Sequence, residues 1–290
     1  MTSPPEAAAP PDHYTGEVYV TPRHLAGTTG TGDAGLRPAL DAGWETSDDD
    51  LGNFCIAAPD HRIRIGYLPE GDDDALWKIA AYEQHSFAAP RWAAAFSDSC
   101  PDEVVAAFTT GLVPLHDTDG NAFLRGGIGY RRDASPVLAP LLDAGWTVDE
   151  RHWLVEVRSP DALAGAWYDR RTLDPDRELT SNATRWGIWG GKTRGRWYAV
   201  FSSHTPTPLI TATAAAVADP APVVRWAGGL STITRRHATI TRVRPPAPTP
   251  LELARAHRPS PVLRTVTVPR WSTSTPSARL PGPSRPPARR

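Results

Sequence analysis

Few residues in this 290-residue sequence have the types and spacing that chemistry on a bound phosphate would require. The segment Gly190-Gly191-Lys192-Thr193 ends like a phosphate-binding P-loop, but that motif needs a glycine five positions before Gly191, and Trp186 stands there. The segment also lies between two predicted strands, so no helix N-terminus would meet a phosphate. We therefore interpret it as a hairpin turn.

A second candidate is the acidic segment that begins at Asp117. Asp117, Asp119 and Asn121 have the first three spacings of a calcium-binding loop. The sixth position of such a loop should be glycine and is Ala122, and the twelfth should be glutamate and is Ile128. The sequence therefore favours a polar linker here, and we predict no metal ion and no cofactor for the chain.

Two residues before predicted helices are the remaining candidates for proton transfer or nucleophilic attack. Cys100 precedes Pro101, and His204 lies two residues before Pro206. A helix N-terminus makes a nearby thiol more acidic and more reactive. Thr205 takes the place of Cys100 in a second, matching segment, which favours local capping over nucleophilic chemistry. We predict no catalytic residue and retain His204 as a possible binding residue.

The elements that would position these residues occur twice. The sequence Pro-Ala-Leu-Asp-Ala-Gly-Trp at residues 38–44 returns as Pro-Leu-Leu-Asp-Ala-Gly-Trp at 140–146, and Arg-Trp at 91–92 returns at 196–197. Insertions fall in predicted loops while strand and helix spacing is kept, which indicates two repeats of one fold. The tryptophans that recur are expected to anchor the two cores: Trp44, Trp92, Trp146 and Trp197.

Each repeat is predicted to contain short strands followed by a helix. Strand alternation would place Ile63, Ile65 and Tyr67 on one face of residues 62–67, and Trp77, Ile79 and Ala81 on one face of residues 76–82. Val105, Phe108 and Leu112 share one helical stripe. Short connections favour antiparallel pairing. The fold class is therefore α+β, with two tandem repeats, each a small antiparallel sheet followed by a packing helix.

We predict five segments along the chain. They are a disordered N-terminus at 1–14, a first repeat at 15–115, a linker at 116–134, a second repeat at 135–226 and a disordered Pro/Arg-rich basic tail at 227–290.

The charge is divided between an acidic body and this basic tail. Twelve arginines and one acid, Glu252, lie from Arg235 onward, which leaves 19 basic and 31 acidic residues before it. The body is therefore about −12 and the tail about +11. Such a tail can bind nucleic-acid phosphates or fold back on the acidic body. The candidate contacts in it are Arg235, Arg236, Arg242 and Arg244.

The remaining composition favours a cytoplasmic chain. The two cysteines, Cys55 and Cys100, form no disulfide framework or metal pair. No apolar run approaches the length of a membrane span, and residues 1–12 lack the basic and apolar regions of a signal peptide. We expect no membrane association.

Several motifs occur in the order of a known family. Residues 19–27 read Tyr-Val-x-Pro-Arg-x-Leu-Ala-Gly, residues 159–161 read Ser-Pro-Asp, and residues 196–206 read Arg-Trp-x-x-x-Phe-Ser-Ser-x-Thr-Pro. With the Leu-Leu-Asp-Ala-Gly-Trp motif, they resemble the actinobacterial SPDY domain, domain of unknown function 317, over roughly residues 17–226. The Ser-Pro-Asp-Tyr of the family is Ser-Pro-Asp-Ala at 159–162 and Ala-Pro-Asp-His at 58–61. The resemblance implies a bacterial group and a domain boundary, and it implies no activity and no site residue.

These observations favour a non-enzymatic binding or protein-interaction module. The duplication, the tryptophans without an obvious partner and the lack of converging polar motifs support this hypothesis. One alternative is a nucleic-acid-associated protein that binds through the basic tail. Another is an enzyme of unrecognised type with a site between the repeats. The sequence specifies neither the partner nor the oligomeric state.

Overall fold

The dominant element of the structure is a ten-stranded antiparallel sheet that both repeats build together, and a three-stranded sheet accompanies it. The computed structural model describes residues 16–70, 75–118, 120–125, 133–180, 184–192 and 195–243.

The chain runs through the same succession of elements twice. After β1 (Glu17–Thr21), the first repeat consists of α1 (Asp33–Asp41), β2 (Glu45–Asp48), β3 (Phe54–Ala57), β4 (Ile63–Tyr67), β5 (Trp77–Ala81), β6 (Trp92–Phe96) and α2 (Asp102–Thr118). The second consists of α3 (Ser135–Asp143), β7 (Thr147–Glu150), β8 (Leu154–Arg158), β9 (Ala164–Asp169), α4 (Pro175–Thr180), β10 (Trp186–Gly190), β11 (Trp197–Phe201) and α5 (Thr207–Ala218). The chain continues through β12 (Val223–Trp226), α6 (Thr232–His237) and β13 (Thr239–Arg242).

The repeated Ala-Gly-Trp sequence ends the first helix of each repeat. Gly43 has φ +72° and Gly145 has φ +81°, the left-handed conformation that glycine adopts without a steric cost. Trp44 N donates to Ala39 O at 3.1 Å, and Trp146 N donates to the equivalent carbonyl at 3.1 Å. This is the hydrogen-bond pattern of a Schellman cap, and it turns each tryptophan back into the core. Trp44 is 4% exposed and Trp146 is 7% exposed.

The two repeats join edge to edge at the centre of the sheet. The strand order is β2-β3-β4-β5-β6-β11-β10-β9-β8-β7, so β6 pairs with β11. Two equivalent serines bond reciprocally across this junction: Ser202 Oγ accepts from Ala93 N at 3.0 Å, and Ser97 Oγ accepts from Tyr198 N at 2.9 Å. The junction therefore imitates the twofold axis of a homodimer.

All four long helices pack on one side of this sheet, and one core runs through both repeats. Phe201 of the second repeat stacks on Phe108 of α2, with ring centroids 5.7 Å apart, and meets Phe96 edge to face at the same distance. The expected sheet-and-helix class is confirmed, but the sheets of the two repeats are continuous. Pairing β6 with β11 removes the open sheet edge that each repeat would have by itself. Both strands can pair in this way because they bury their apolar side chains against the same helix layer.

The helix α2 buries the stripe that its spacing predicts, with Val105, Phe108 and Leu112 all inaccessible to solvent. At 17 residues, α2 is longer than any other helix that the structure describes. Within that same part of the chain, no helix combines the length and the apolar character that crossing a membrane requires.

The expected linker at 116–134 is wrong in its first half. The helix α2 extends to Thr118, and a 3-10 helix follows at Ala122–Leu124. Phe123 is fully buried, and its carbonyl accepts from Trp92 Nε1 at 2.7 Å. Burial of one aromatic ring holds this polar stretch on the core. Residues 119 and 126–132 lie outside the described residues.

The expected boundaries at 15 and 227 also differ from the structure. The strand β1 pairs with β12 and β13 in the three-stranded sheet, so it does not belong to the sheet of the first repeat. Residues 227–243 contain a 3-10 helix, α6 and β13, where we expected a disordered tail. Val18 and Val20 form a small core with Ala227 and Leu230, which explains why this stretch is ordered. Residues 1–15 and 244–290 lie outside the described residues.

Candidate binding surface

The ten-stranded sheet has a second face, turned away from the helices. We call its central part the outer face and define it by twelve side-chain positions on β4–β6 and β9–β11. These positions are Arg64, Gly66, Lys78, Ala80, Ala93, Ala95, Gly165, Trp167, Gly187, Trp189, Tyr198 and Val200. No helix of the described residues packs on them through the main core.

The strand register places the outer-face residues in rows across the sheet. One row runs from β9 to β5 through Trp167, Gly187, Val200, Ala95 and Lys78. Four strand spacings of about 4.8 Å make this row about 19 Å long. Both repeats contribute to it, so the row exists only because the two copies are joined.

The two repeats agree on the core side of the sheet and differ on the outer face. Six of nine paired core-side positions on β4–β6 and β9–β11 are identical, and the six outer-face pairs are all different. The identical pairs include Trp77 with Trp186 and Phe96 with Phe201. The outer-face pairs are Arg64/Gly165, Gly66/Trp167, Lys78/Gly187, Ala80/Trp189, Ala93/Tyr198 and Ala95/Val200. The fold was kept while the two halves of the outer face became different.

The second repeat supplies aromatic rings, and glycines let them lie flat. A Cβ at Gly187 would stand 1.9 Å from the indole of Trp167, and a Cβ at Gly165 would stand 2.7 Å from that of Trp189. Each ring therefore covers the glycine opposite it on the neighbouring strand. The Arg196 guanidinium lies over Trp189, 4.0 Å from the ring centroid, which is cation–π geometry.

The charges of this surface are basic. Arg64 and Lys78 of the first repeat are exposed, and Arg196 lies at the start of β11. Two acids face the same way at the β9 end of the surface, and each is paired with an arginine: Asp169 with Arg171 at 2.5 Å, and Glu156, which lies opposite Trp167 on β8, with Arg158 at 2.8 Å. Since the body as a whole is about −12, this region is a local exception to the charge of the protein.

The polar clusters elsewhere in the structure hold the chain together. His24 Nε2 lies 2.8 Å from Asp161 Oδ2, and Ser159 Oγ donates to Asp161 Oδ1 at 2.5 Å. Activation of a serine requires a hydrogen bond from its hydroxyl to a histidine that can take the proton. Here the carboxylate lies between the hydroxyl and the imidazole, so Ser159 is not activated as a nucleophile. The equivalent Asp60 lies 3.2 Å from His116 Nε2, and each histidine packs against one repeated tryptophan, Trp146 or Trp44.

Burial sets the protonation of the pair beside the Ser-Pro-Asp turn. It lowers the pKa of His24, against the opposing effect of Asp161, so the folded state favours the neutral imidazole. Burial also raises the pKa of Asp161, but hydrogen bonds from Ser159 Oγ, Leu163 N and His24 outweigh it and leave that pKa below the usual value. Both shifts favour a neutral imidazole beside an ionised carboxylate, the state in which His24 Nε2 carries the hydrogen that Asp161 accepts.

The residues that the structure describes include one helix of the second repeat without a counterpart in the first, α4 between β9 and β10, and a buried hydrogen-bond network holds it in place. Glu178 of α4 accepts from Ser203 N at 2.8 Å and from Ser203 Oγ at 2.5 Å, and Arg185 Nε donates to Ser203 Oγ at 2.8 Å. His204 follows directly and is half-buried; burial, and then the charge of Arg91, lower its pKa. We call Glu178, Arg185 and Ser203 the α4 network. The predicted binding residue His204 thus lies beside the α4 network and not on the outer face.

The tail arginines do not form a patch in the described part of the chain. The Arg235 guanidinium donates to two backbone carbonyls of the preceding turn, Leu230 O at 3.1 Å and Ala227 O at 2.9 Å, and thereby fixes α6. Arg236 is exposed on the same helix, and Arg242 lies in β13. Arg244 lies outside the described residues.

The sequence motifs that resembled phosphate, catalytic or metal sites are not among the positions of the outer face. Gly190 ends β10 and pairs with Trp197 of the antiparallel strand β11, so the P-loop-like segment begins at the end of a strand and no helix follows it directly; its Thr193 lies outside the described residues. Cys100 is buried, and burial followed by the charges of Asp102 and Glu103 raises the pKa of its thiol well above the usual value. Among the described residues, no three His, Cys, Asp or Glu side chains converge in a way that could hold a metal ion. Asp119 of the calcium-like segment lies outside those residues.

The outer face was missed in the sequence because its signal is weak. A half-buried strand should alternate apolar with polar residues, yet β5 and β6 place alanine on the second face: Ala80, Ala93 and Ala95. Small apolar residues on the face opposite the core are the signal in the sequence that could have indicated contact on this second face as well. Of the tryptophans without a repeated partner, Trp226 is 64% exposed and Trp153 is 44% exposed.

Comparison with known proteins gives one result that bears on identity. Residues 57–117 and 158–223 each match SPDY, a domain of unknown function (DUF317). Neither the curated proteins nor the solved structures contain a match to the chain. The two matched segments cover the last three strands and the final helix of each repeat, β4–β6 with α2 and β9–β11 with α5. The chain therefore carries two segments that match the SPDY domain, in the tandem arrangement that the resemblance implies.

Proposed function

We propose that the protein is a non-enzymatic binding module and that the outer face is its contact surface. The observation that carries this proposal is the difference between the two sides of the sheet. Positions that hold the fold are mostly the same in the two repeats, whereas the outer-face pairs all differ. Side chains that serve neither core nor junction were thus free to acquire a role in recognition.

The composition of the outer face supports contact with a partner. Alanine, glycine and valine leave a shallow apolar floor, with Tyr198 standing 41% exposed beside it. Interfaces combine such an apolar floor with aromatic and arginine anchors. The charged groups around the floor are those of Arg64, Lys78 and Arg196.

The polar clusters support the non-enzymatic part of the proposal. The histidines beside Asp60 and Asp161 pack on core tryptophans, and the Ser159 hydroxyl donates a hydrogen bond to the Asp161 carboxylate. These groups orient turns of the fold. We also propose a cytoplasmic location, in which the free thiols of Cys55 and Cys100 stay reduced.

A matched pair of substitutions tests the contact surface. Tyr198 and Val224 are 41% and 40% exposed, and Val224 lies on the three-stranded sheet. Affinity capture from a native extract should recover the same species with wild type and Val224→Glu, and should lose them with Tyr198→Glu. Equal capture by all three proteins, with unchanged thermal unfolding, would reject the outer face as the contact surface.

A further inference from the structure

We infer that the outer face binds single-stranded nucleic acid. This inference rests on the proposed function, because it names the partner of the same surface. Single strands are bound on sheets that combine stacking rings with basic side chains that follow the phosphates. The outer face has both, the rings from the second repeat and most of the charge from the first.

The charge pattern favours a polyanion. Arg64 and Lys78 lie on neighbouring strands, where Arg64 is paired across from Ala80 and Lys78 from Ala95. Arg196 lies on the other side of the junction, at the start of β11. The basic groups thus flank the central floor from both repeats. A second copy of this chain is a poor occupant, since its own basic outer face would be repelled.

The rings favour nucleic acid over an acidic protein segment. Two rings are accessible: Tyr198 is 41% exposed, and Trp167 is half-buried with its ring over Gly187. Trp189 is buried beneath the Arg196 guanidinium and supports this surface from below. Flat rings at the level of the sheet offer faces on which bases can stack. The neighbouring floor of Ala93 and Ala95 leaves room above the strands for a base. An acidic peptide would use the charges but would have no need of these exposed ring faces.

The row across the sheet has the length of a short binding site. It spans about 19 Å from Trp167 to Lys78, from a ring at one end to an ammonium group at the other. A single strand crossing this row meets the ring of Trp167 at one end and the ammonium group of Lys78 at the other. The site therefore requires both copies of the domain, which gives the tandem arrangement a function.

The test is fluorescence anisotropy of a labelled 20-mer of deoxythymidine with the full-length protein. Arg64→Glu/Lys78→Glu should weaken binding at least tenfold, and Tyr198→Ala should weaken it about tenfold, the usual effect of one lost stacking contact. The double variant should also flatten the dependence of log K on log salt by about 1.4, for two lost phosphate contacts. Arg37→Glu, an exposed change on α1, should leave the affinity within twofold.

Two further arms separate the possible failures. Replacing Arg255, Arg258, Arg264 and Arg270 by glutamine in the full chain tests the basic tail; loss of binding with this variant alone would overturn the inference and assign binding to the tail. A labelled polyglutamate peptide tests an acidic protein. If Arg64→Glu/Lys78→Glu abolishes peptide binding while the oligonucleotide does not bind, the outer face is a contact surface and the nucleic-acid inference is wrong. If neither probe responds to the double variant, both the inference and the choice of surface are contradicted.

Discussion

Replacing Gly187 by alanine should remove Trp167 from the outer face. The added Cβ would stand 1.9 Å from one ring carbon of Trp167 and 2.0 Å from the next, far inside van der Waals contact. Backbone pairing fixes β10 between β9 and β11, so the strand cannot retreat. The indole must therefore leave the position that it occupies over the glycine.

The cost follows from two opposing effects. Expelling the half-buried indole loses about 1–2 kcal/mol of apolar burial, and residual overpacking adds about 1 kcal/mol. Alanine restricts the unfolded chain and returns about 0.4–1 kcal/mol. The net loss of unfolding free energy is about 2 kcal/mol, which lowers Tm by about 4–8 °C for a domain of this size.

Urea and thermal unfolding measure this loss, and Gly66→Ala is the matched control. Gly66 is also a buried glycine on the outer face, but a Cβ there would lie 3.4 Å from the Leu68 side chain, close to ordinary contact. We expect Gly66→Ala to change the unfolding free energy by less than about 0.5 kcal/mol. If Gly187→Ala is as stable as Gly66→Ala, Trp167 does not pack on Gly187 and the reasoning about flat rings fails.

Three other predictions concern the frame that holds this surface. Gly43→Ala and Gly145→Ala should each cost about 1 kcal/mol of unfolding free energy, because both glycines are left-handed and no neighbour would contact the new methyl group; the double variant should be additive in urea unfolding. Glu178→Ala should lower the unfolding free energy by about 3 kcal/mol in the same assay, because the buried guanidinium of Arg185 would lose a neighbouring carboxylate. An unchanged unfolding free energy would show that the α4 network does not stabilise the fold. Burial lowers the pKa of His24, so the unfolded chain binds this proton more readily and Tm should fall as the pH drops below about 6.5. Tm should fall less steeply in His24→Gln than in wild type, and an unchanged slope would show that His24 is not the group concerned.

The repeat could be predicted from the sequence because core positions tolerate few residues. Trp92 and Trp197 each begin a strand and face the core, so the same large side chain recurs and makes the duplication visible. The Gly-Trp ending of α1 and α3 is readable for a similar reason: only glycine fits the left-handed turn. The α+β class and the presence of two copies follow from these local constraints, the SPDY assignment follows from the resemblance, and all three are confirmed.

The arrangement of the repeats could not be predicted, because it depends on contacts between distant segments. The bonds of Ser97 and Ser202 that join β6 to β11 connect residues about one hundred positions apart, and serine is common in turns for other reasons. The pairing of β1 with β13 likewise joins the two ends of the described chain. Strand pairing of this kind leaves little pattern in one sequence.

The outer face leaves a weak signal in the sequence for a second reason besides its alanines, and that reason bears on function. A repeat is visible in the residues that its copies share, whereas this surface consists of residues that they do not share. Lys78 and Gly187 are equivalent positions, yet one places a charge above the sheet and the other makes room for Trp167. Two identical copies would give a symmetric surface with the same groups at both ends. Because six of nine core-side pairs stayed identical while all six outer-face pairs became different, most of the asymmetry lies on this surface. A partner with direction, such as a nucleic-acid strand, fits it better than a symmetric one.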